Sequence, residues 1–181
     1  PRRRGRHRAS GRPRVSAGRL APETEAKLLK PQNVVEMLAA GSRDAGFAGA
    51  DWVAELQVDV IELLDTELDP VQIVAAAAGP LPDRRVVVAS EYERLARAWI
   101  ADRRLAADFV RSYGATEVFP PEDADVIVDN TATGATLEAN GLRVVDVLMR
   151  SSTRLYANPR ALEDAARRRR IEDLVLLLRS V

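Results

Sequence analysis

Residues 125–137 read Asp-Val-Ile-Val-Asp-Asn-Thr-Ala-Thr-Gly-Ala-Thr-Leu, an order of residue types that leaves few ways to fold. Val126-Ile127-Val128 is a short β-branched run that suits a buried strand. The run ends on an acid, Asp129, followed by a loop of small hydroxyl residues around one glycine. Ala135-Thr136-Leu137-Glu138-Ala139 is helix-compatible. A strand, an acid, a Thr-Gly-x-Thr turn and a helix start make a site suited to a sugar phosphate. The phosphate can sit against backbone N–H groups at the positive end of the helix. Gly134 permits close backbone approach, and the hydroxyls of Thr131, Thr133 and Thr136 can donate to phosphate oxygens. Asp129 is placed to accept from ribose hydroxyls. The same residues also fit an ordinary strand–turn–helix junction with capping threonines.

Composition narrows the chemistry further. The chain has 181 residues, no cysteine and one histidine, His7. Disulfides, thiolate metal sites and a cysteine nucleophile are excluded, and a histidine-based triad or zinc site is disfavoured. Catalysis must then rest on carboxylates, arginines, hydroxyls, backbone N–H groups or a cofactor. No apolar run is long enough to span a bilayer and the start has no apolar signal core, so no membrane partner and a cytoplasmic location are expected. The 27 basic and 27 acidic residues are unevenly placed. Residues 1–20 hold eight arginines and no acid, leaving a net charge of −8 on the remainder. With no aromatic among those arginines, a solvated end fits better than a nucleic-acid arm, and no nucleic-acid partner is expected.

Along the chain, residues 24–30 read as a strand leading into Pro31, which suits the first position of a helix ending at Gly41. A short strand over 44–49 and a short helix over 50–56 follow. Residues 58–64 and 71–78 are two β-leaning runs separated by Leu68-Asp69-Pro70 turn chemistry. Residues 79–83 form a linker, 84–89 a strand, and Ser90 caps the next helix. Strands are expected at Phe109-Val110 and 144–149, with extended structure continuing over 155–157, a turn at Tyr113-Gly114-Ala115 and a last helix starting at Pro159. Arg167 to Arg170, flanked by Glu163, Asp164, Glu172 and Asp173, read as a solvated helix surface. Ala75 to Ala78 read as tight core packing. The alternation predicts an α/β architecture with mostly parallel sheets and flanking helices.

Four stretches together resemble the ATP phosphoribosyltransferase family, from about Glu25 to the C-terminus. They are Lys30-Pro31-Gln32-Asn33 with Ala45-Gly46-Phe47-Ala48-Gly49-Ala50-Asp51; Ala89-Ser90-Glu91-Tyr92; Gly114-Ala115-Thr116-Glu117-Val118 with Asp123-Ala124-Asp125; and Asp129 to Leu137, continued by Glu138-Ala139-Asn140-Gly141-Leu142 and Ser151-Ser152-Thr153-Arg154-Leu155. The resemblance implies two lobes like those of type II periplasmic binding proteins. Residues 1–80 with 151–181 would form a discontinuous first lobe with an incomplete N-terminus, and residues 81–150 the second. It also implies transfer of the 5-phosphoribosyl group from phosphoribosyl diphosphate to N1 of ATP, with Mg²⁺ held largely through substrate oxygens. This is the first step of histidine biosynthesis. Thr131, Ala132, Thr133, Gly134, Ala135 and Thr136 would bind the 5-phosphate. Asp129 and Glu117 would be the catalytic carboxylates, and Asp51 with Glu117 would meet the nucleotide. Direct metal ligands stay unassigned.

The family's opening strand–helix with its Leu-Pro-Lys-Gly-Arg-Leu-like turn has no counterpart, because Ser16-Ala17-Gly18-Arg19-Leu20 lies too close to Pro31. The C-terminal regulatory domain of longer members, which binds histidine as feedback inhibitor, is likewise expected to be missing. Short members work with a separate regulatory subunit related to histidyl-tRNA synthetase, so a homo-oligomer or such a complex is implied. Two other readings fit the loop. One is another nucleotide phosphoribosyltransferase, although those carry two adjacent acids where this chain has Asp129-Asn130. The other is a non-catalytic module that binds a sugar phosphate.

Overall fold

The structure is a computed structural model that describes residues 24–180. The arginine-rich residues 1–20, with His7 and the Ser16–Leu20 segment, lie outside the described residues. Residues 24–30 have no regular secondary structure, so the strand expected there is not formed. They belong to a separate compact unit from residues 31–181.

From Pro31 onward the chain folds as helix α1 (Pro31–Ala39), strand β1 (Ala45–Gly49), α2 (Ala50–Leu56), β2 (Ile61–Ala77), β3 (Val86–Ser90), α3 (Glu93–Asp102), β4 (Ala107–Arg111), β5 (Val126–Thr131), α4 (Ala135–Ala139), β6 (Arg143–Ala157), α5 (Pro159–Glu163) and α6 (Ala165–Arg179). The six strands make one sheet in the order β1-β6-β2-β5-β3-β4. The α/β class holds, but the pairing is mixed rather than mostly parallel. β3 pairs parallel with β4 and β5. The β1–β6, β2–β6 and β2–β5 pairs are antiparallel.

Strand alternation decides which side chains face which layer. Ile73, Ala75 and Ala77 of β2 join Val86, Val88, Val126 and Val128 on one face, packed with Trp52, Tyr92, Ala96 and Trp99. Val74, Ala76, Ala89 and Ile127 face the other way and meet Leu137 and Leu142. Both faces are therefore covered at the centre, which is why Ala75, Ala76 and Ala77 are buried and small.

Three local expectations change on tertiary contact. The two runs expected on either side of Pro70 are one strand, because β6 offers a continuous partner. The turn chemistry survives as register shifts between Asp65 and Val71, with Glu67 and Asp69 at positive φ. Ser90 does not cap α3. Its Oγ accepts from the Tyr92 N–H at 2.8 Å and donates to the Val128 carbonyl. The helix starts instead at Glu93, and the Glu55 carboxylate of α2 accepts from the N–H groups of Arg94 and Leu95 at 2.8 and 3.0 Å. The last helix is two helices. Asn158 caps α5 through the Arg160 N–H, and Asp164 opens α6 by accepting from the Ala166 and Arg167 N–H groups.

Candidate functional site

The parallel part of the sheet gathers the site. Ser90 lies opposite Arg111 on one side and Val128 on the other, so the carboxyl ends of β4, β3 and β5 emerge together. Beyond them come Glu91, Asp129 and the turn that carries Glu117. Ligands in open α/β sheets bind outside such strand ends. That turn is built from Gly114 and Ala115, both at positive φ. It is tied back by a 2.7 Å bond between the buried hydroxyls of Ser112 and Thr116, which fixes Glu117 one residue later.

A cleft of about 360 Å³ opens there, lined by residues 129–133 and 135–137 with Glu117. It unites Asp129, Thr131, Ala132, Thr133, Ala135, Thr136 and Glu117. Gly134 sits at the mouth of α4 with φ +82, a left-handed conformation that favours glycine. A β-carbon there would meet open space, so the requirement is conformational. The loop is pinned by its own hydroxyls. Thr131 Oγ1 accepts from the Gly134 N–H at 2.9 Å, and Thr133 Oγ1 from the Ala135 N–H at 3.4 Å. A hydroxyl used as an acceptor keeps its proton for donation, so both threonines can point O–H at an anion.

Asp129 is the most perturbed carboxyl in the cleft. Burial lifts its pKa from the ordinary 3.8 to about 6. The Asn130 N–H, donating to its Oδ1 at 2.7 Å, pulls the other way, while the charges of Glu117 and Glu91 raise it further. Such a carboxylate is ionised at neutral pH yet held against its own field. It can accept from sugar hydroxyls or face a developing positive charge.

Asp51 is placed elsewhere. It lies at the start of α2, only 5 % exposed, and does not line the cleft. The Ser151 hydroxyl donates to its Oδ1 at 2.5 Å and accepts from its N–H at 3.1 Å. The Tyr92 hydroxyl donates to Oδ2 at 2.8 Å and accepts from Asn130 Nδ2 at 3.1 Å. Burial first, then the neighbouring Asp51 charge, hold the Tyr92 phenol far above its usual range, so it stays a donor. Trp52 stacks on Tyr92 with centroids 4.5 Å apart. Asp51 thus touches the cleft only through Tyr92 and Asn130.

Sequence reasoning assigned no role to Asn130, Leu137, Glu91, Tyr92 or Ser151. Asn130 could have been found as the neighbour of Asp129 at the strand end. Tyr92 and Ser151 act through contacts 41 and 100 residues away from them, for which no local pattern exists.

Among the described residues no group of three or more histidine, cysteine, aspartate or glutamate side chains could enclose a metal ion. The cleft carboxylates are hard oxygen donors of the kind that hold Mg²⁺ by one or two bonds alongside substrate phosphates. The donor set therefore suits Mg²⁺ shared with a diphosphate and not a protein cage.

Comparison with known proteins agrees with this geometry. The model of the family described as HisG, ATP phosphoribosyltransferase, matches residues 30–180. The ATP phosphoribosyltransferase of Chlorobaculum parvum is 36 % identical over 167 residues, covering 86 % of this chain and 57 % of that protein. That of Pelotomaculum thermopropionicum is 33 % identical over 168 residues, with 87 % and 58 % covered. The chain thus spans little more than half the length of these curated relatives. Among solved structures, the ATP phosphoribosyl transferase (HisG:HisZ) complex from Thermotoga maritima superposes with a TM-score of 0.78 at 22 % identity, covering 84 % of this chain and 77 % of that one. The fold is shared with that structure, and by the family match over residues 30–180 the chain belongs to the HisG, ATP phosphoribosyltransferase, family.

Proposed function

We propose that the chain carries the phosphoribosyl-diphosphate site of an ATP phosphoribosyltransferase, transferring the 5-phosphoribosyl group to N1 of ATP with release of pyrophosphate. The observation that carries this reading is the meeting of Asp129, Glu117 and the threonine loop in one cleft. The loop hydroxyls and N–H groups hold the 5-phosphate, and Asp129 accepts from the ribose hydroxyls. Positive charge develops on the ribose as the diphosphate leaves, and ionised Asp129 and Glu117 stabilise it by position. The bond from C1 to the diphosphate oxygen breaks, the bond from C1 to N1 of adenine forms, and the electron pair leaves with pyrophosphate. Asp129 and Glu117 are the cleft residues that would hold Mg²⁺ alongside the substrate's oxygens, where it would neutralise the diphosphate. Asp51 supports the cleft through Tyr92 and Asn130 instead of touching the nucleotide.

The same reading includes the two-lobe division with residues 81–150 as the second lobe, a cytoplasmic location, and assembly as a homo-oligomer or with a regulatory subunit. The solved neighbour is a HisG:HisZ complex, which supports the last point. Histidine is the expected feedback inhibitor of that assembly. No helix among the described residues is long and apolar enough to cross a membrane.

The test is pyrophosphate release from phosphoribosyl diphosphate and Mg²⁺, with and without ATP. ATP-dependent release supports the transferase. Binding of phosphoribosyl diphosphate without release would reduce the chain to a sugar-phosphate binding module.

A further inference from the structure

A carboxylate offers lone pairs only, and this sets the direction of every hydrogen bond that runs from Asp51 to the cleft. Asp51 receives a proton from Ser151 on Oδ1 and another from Tyr92 on Oδ2. The Tyr92 hydroxyl has one proton and gives it to Asp51, so toward Asn130 it can only accept. Asn130 therefore turns its Nδ2 to Tyr92. Its Oδ1 is left facing away, with no protein partner among the described residues. Tyr92 is 1 % exposed and stacked on Trp52, which makes the anchor of the amide rigid. Asn130 itself is exposed and borders the cleft. A carboxylate at position 130 would have no proton to offer Tyr92, which accounts for the acid–amide pair Asp129-Asn130 at the end of this strand.

We infer that Tyr92 is a positioning residue that holds the Asn130 amide with Oδ1 turned to the substrate, and that Asn130 is a second acceptor for the ribose hydroxyls beside Asp129. On β5, Asp129 lies opposite Val74 and Asn130 opposite Ile73, residues that pack on opposite faces of the sheet. A sugar lying across the end of the strand thus meets the carboxylate on one side and the amide oxygen on the other. The amide supplies this acceptor without a further charge. Glu117 and Glu91 already press on Asp129, and another carboxylate next to it would add to that repulsion. The inference rests on the sugar-phosphate reading above and names a second group that reads a ribose hydroxyl.

The test is calorimetric binding of ribose 5-phosphate and its 2-deoxy and 3-deoxy analogues to the full chain. Asn130→Ala, a change at an exposed residue, should weaken ribose 5-phosphate by about 10-fold. It should leave unchanged the affinity for the one analogue that lacks the hydroxyl Asn130 receives. Tyr92→Phe frees the amide to turn and should weaken ribose 5-phosphate by roughly 3- to 10-fold. Combined with Asn130→Ala it should add no further loss, since Tyr92 acts on the sugar only through Asn130. Losses that multiply in the double variant overturn the positioning role and make Tyr92 a structural residue, as does a Tyr92→Phe chain that is unfolded by circular dichroism. Binding of ribose 5-phosphate indifferent to Asn130→Ala overturns the acceptor role and leaves the sugar-phosphate reading standing, as does an equal loss for the parent sugar and both analogues. An unchanged chain that binds neither ribose 5-phosphate nor phosphoribosyl diphosphate removes that reading and the inference with it.

Discussion

Replacing Asp129 by Asn removes a charge that folding penalises, so the variant should be more stable than the parent while losing the site. The carboxyl rises from 3.8 to about 6, mainly by burial. A carboxyl raised on folding contributes stability below its unfolded value, and that contribution is lost as pH climbs through about 6. Two pH units at about 1.4 kcal/mol each bound the loss at about 3 kcal/mol above pH 7. Asparagine keeps an oxygen for the Asn130 N–H and has no charge to lose. The variant's advantage is therefore at most about 3 kcal/mol at pH 8, or roughly 6–12 °C in melting temperature for a chain of this size. It should fall to about half by pH 5 and nearly vanish at pH 4, where the parent is protonated. Thermal melts at pH 8, 5 and 4 read this directly, and calorimetry with phosphoribosyl diphosphate reads the lost binding. Equal melting temperatures at pH 8, or an advantage that does not change with pH, would refute the reasoning.

Pyrophosphate release, once measured, should decline as pH falls through about 6, where Asp129 takes up a proton; a flat profile from pH 8 to pH 5 would remove its charge from the mechanism. Gly134→Val forces a β-branched residue into φ +82 at a cost of about 1–2 kcal/mol and should abolish binding of phosphoribosyl diphosphate; unchanged affinity places the phosphate elsewhere. Gly49→Ala puts a β-carbon 2.1 Å from Asp51 Oδ1, which Ser151 holds in place. It should cost about 2–3 kcal/mol in urea unfolding, and a neutral result would mean that the Asp51 network yields freely.

What was legible in the sequence was local. Val126 to Val128, Asp129 and the Thr-Gly-x-Thr turn appear as read, because the strand run and the glycine are decided within a few residues. Gly41 does end α1 at positive φ, and Pro159 does open a helix. Pro70 misled because a neighbouring strand absorbed the irregularity as bulges, and a bulge leaves the same residues in the sequence as a turn. Ser90 misled because the cap of α3 comes from Glu55, on another helix. That Asp129, Glu117 and the loop would be gathered in one candidate cleft was readable from pattern and resemblance. The burial of Asp51 was not, since its partner Ser151 arrives from the middle of β6, 100 residues later in the chain.

The β2–β6 pair has a consequence for how the chain is assembled. It sets Ile61 against Ala157 and Ala77 against Arg143, so the middle of the sheet joins the early and late parts of the sequence. Contacts so distant along the chain form slowly, because a long loop must close before they repay its entropy. During synthesis the Ile73–Ala77 end of β2 waits with both of its edges open until β5 and then β6 emerge. An apolar strand with open edges is the kind that pairs with other chains. The segment that makes the finished core so well covered is thus the one most in need of shelter while the protein is being made.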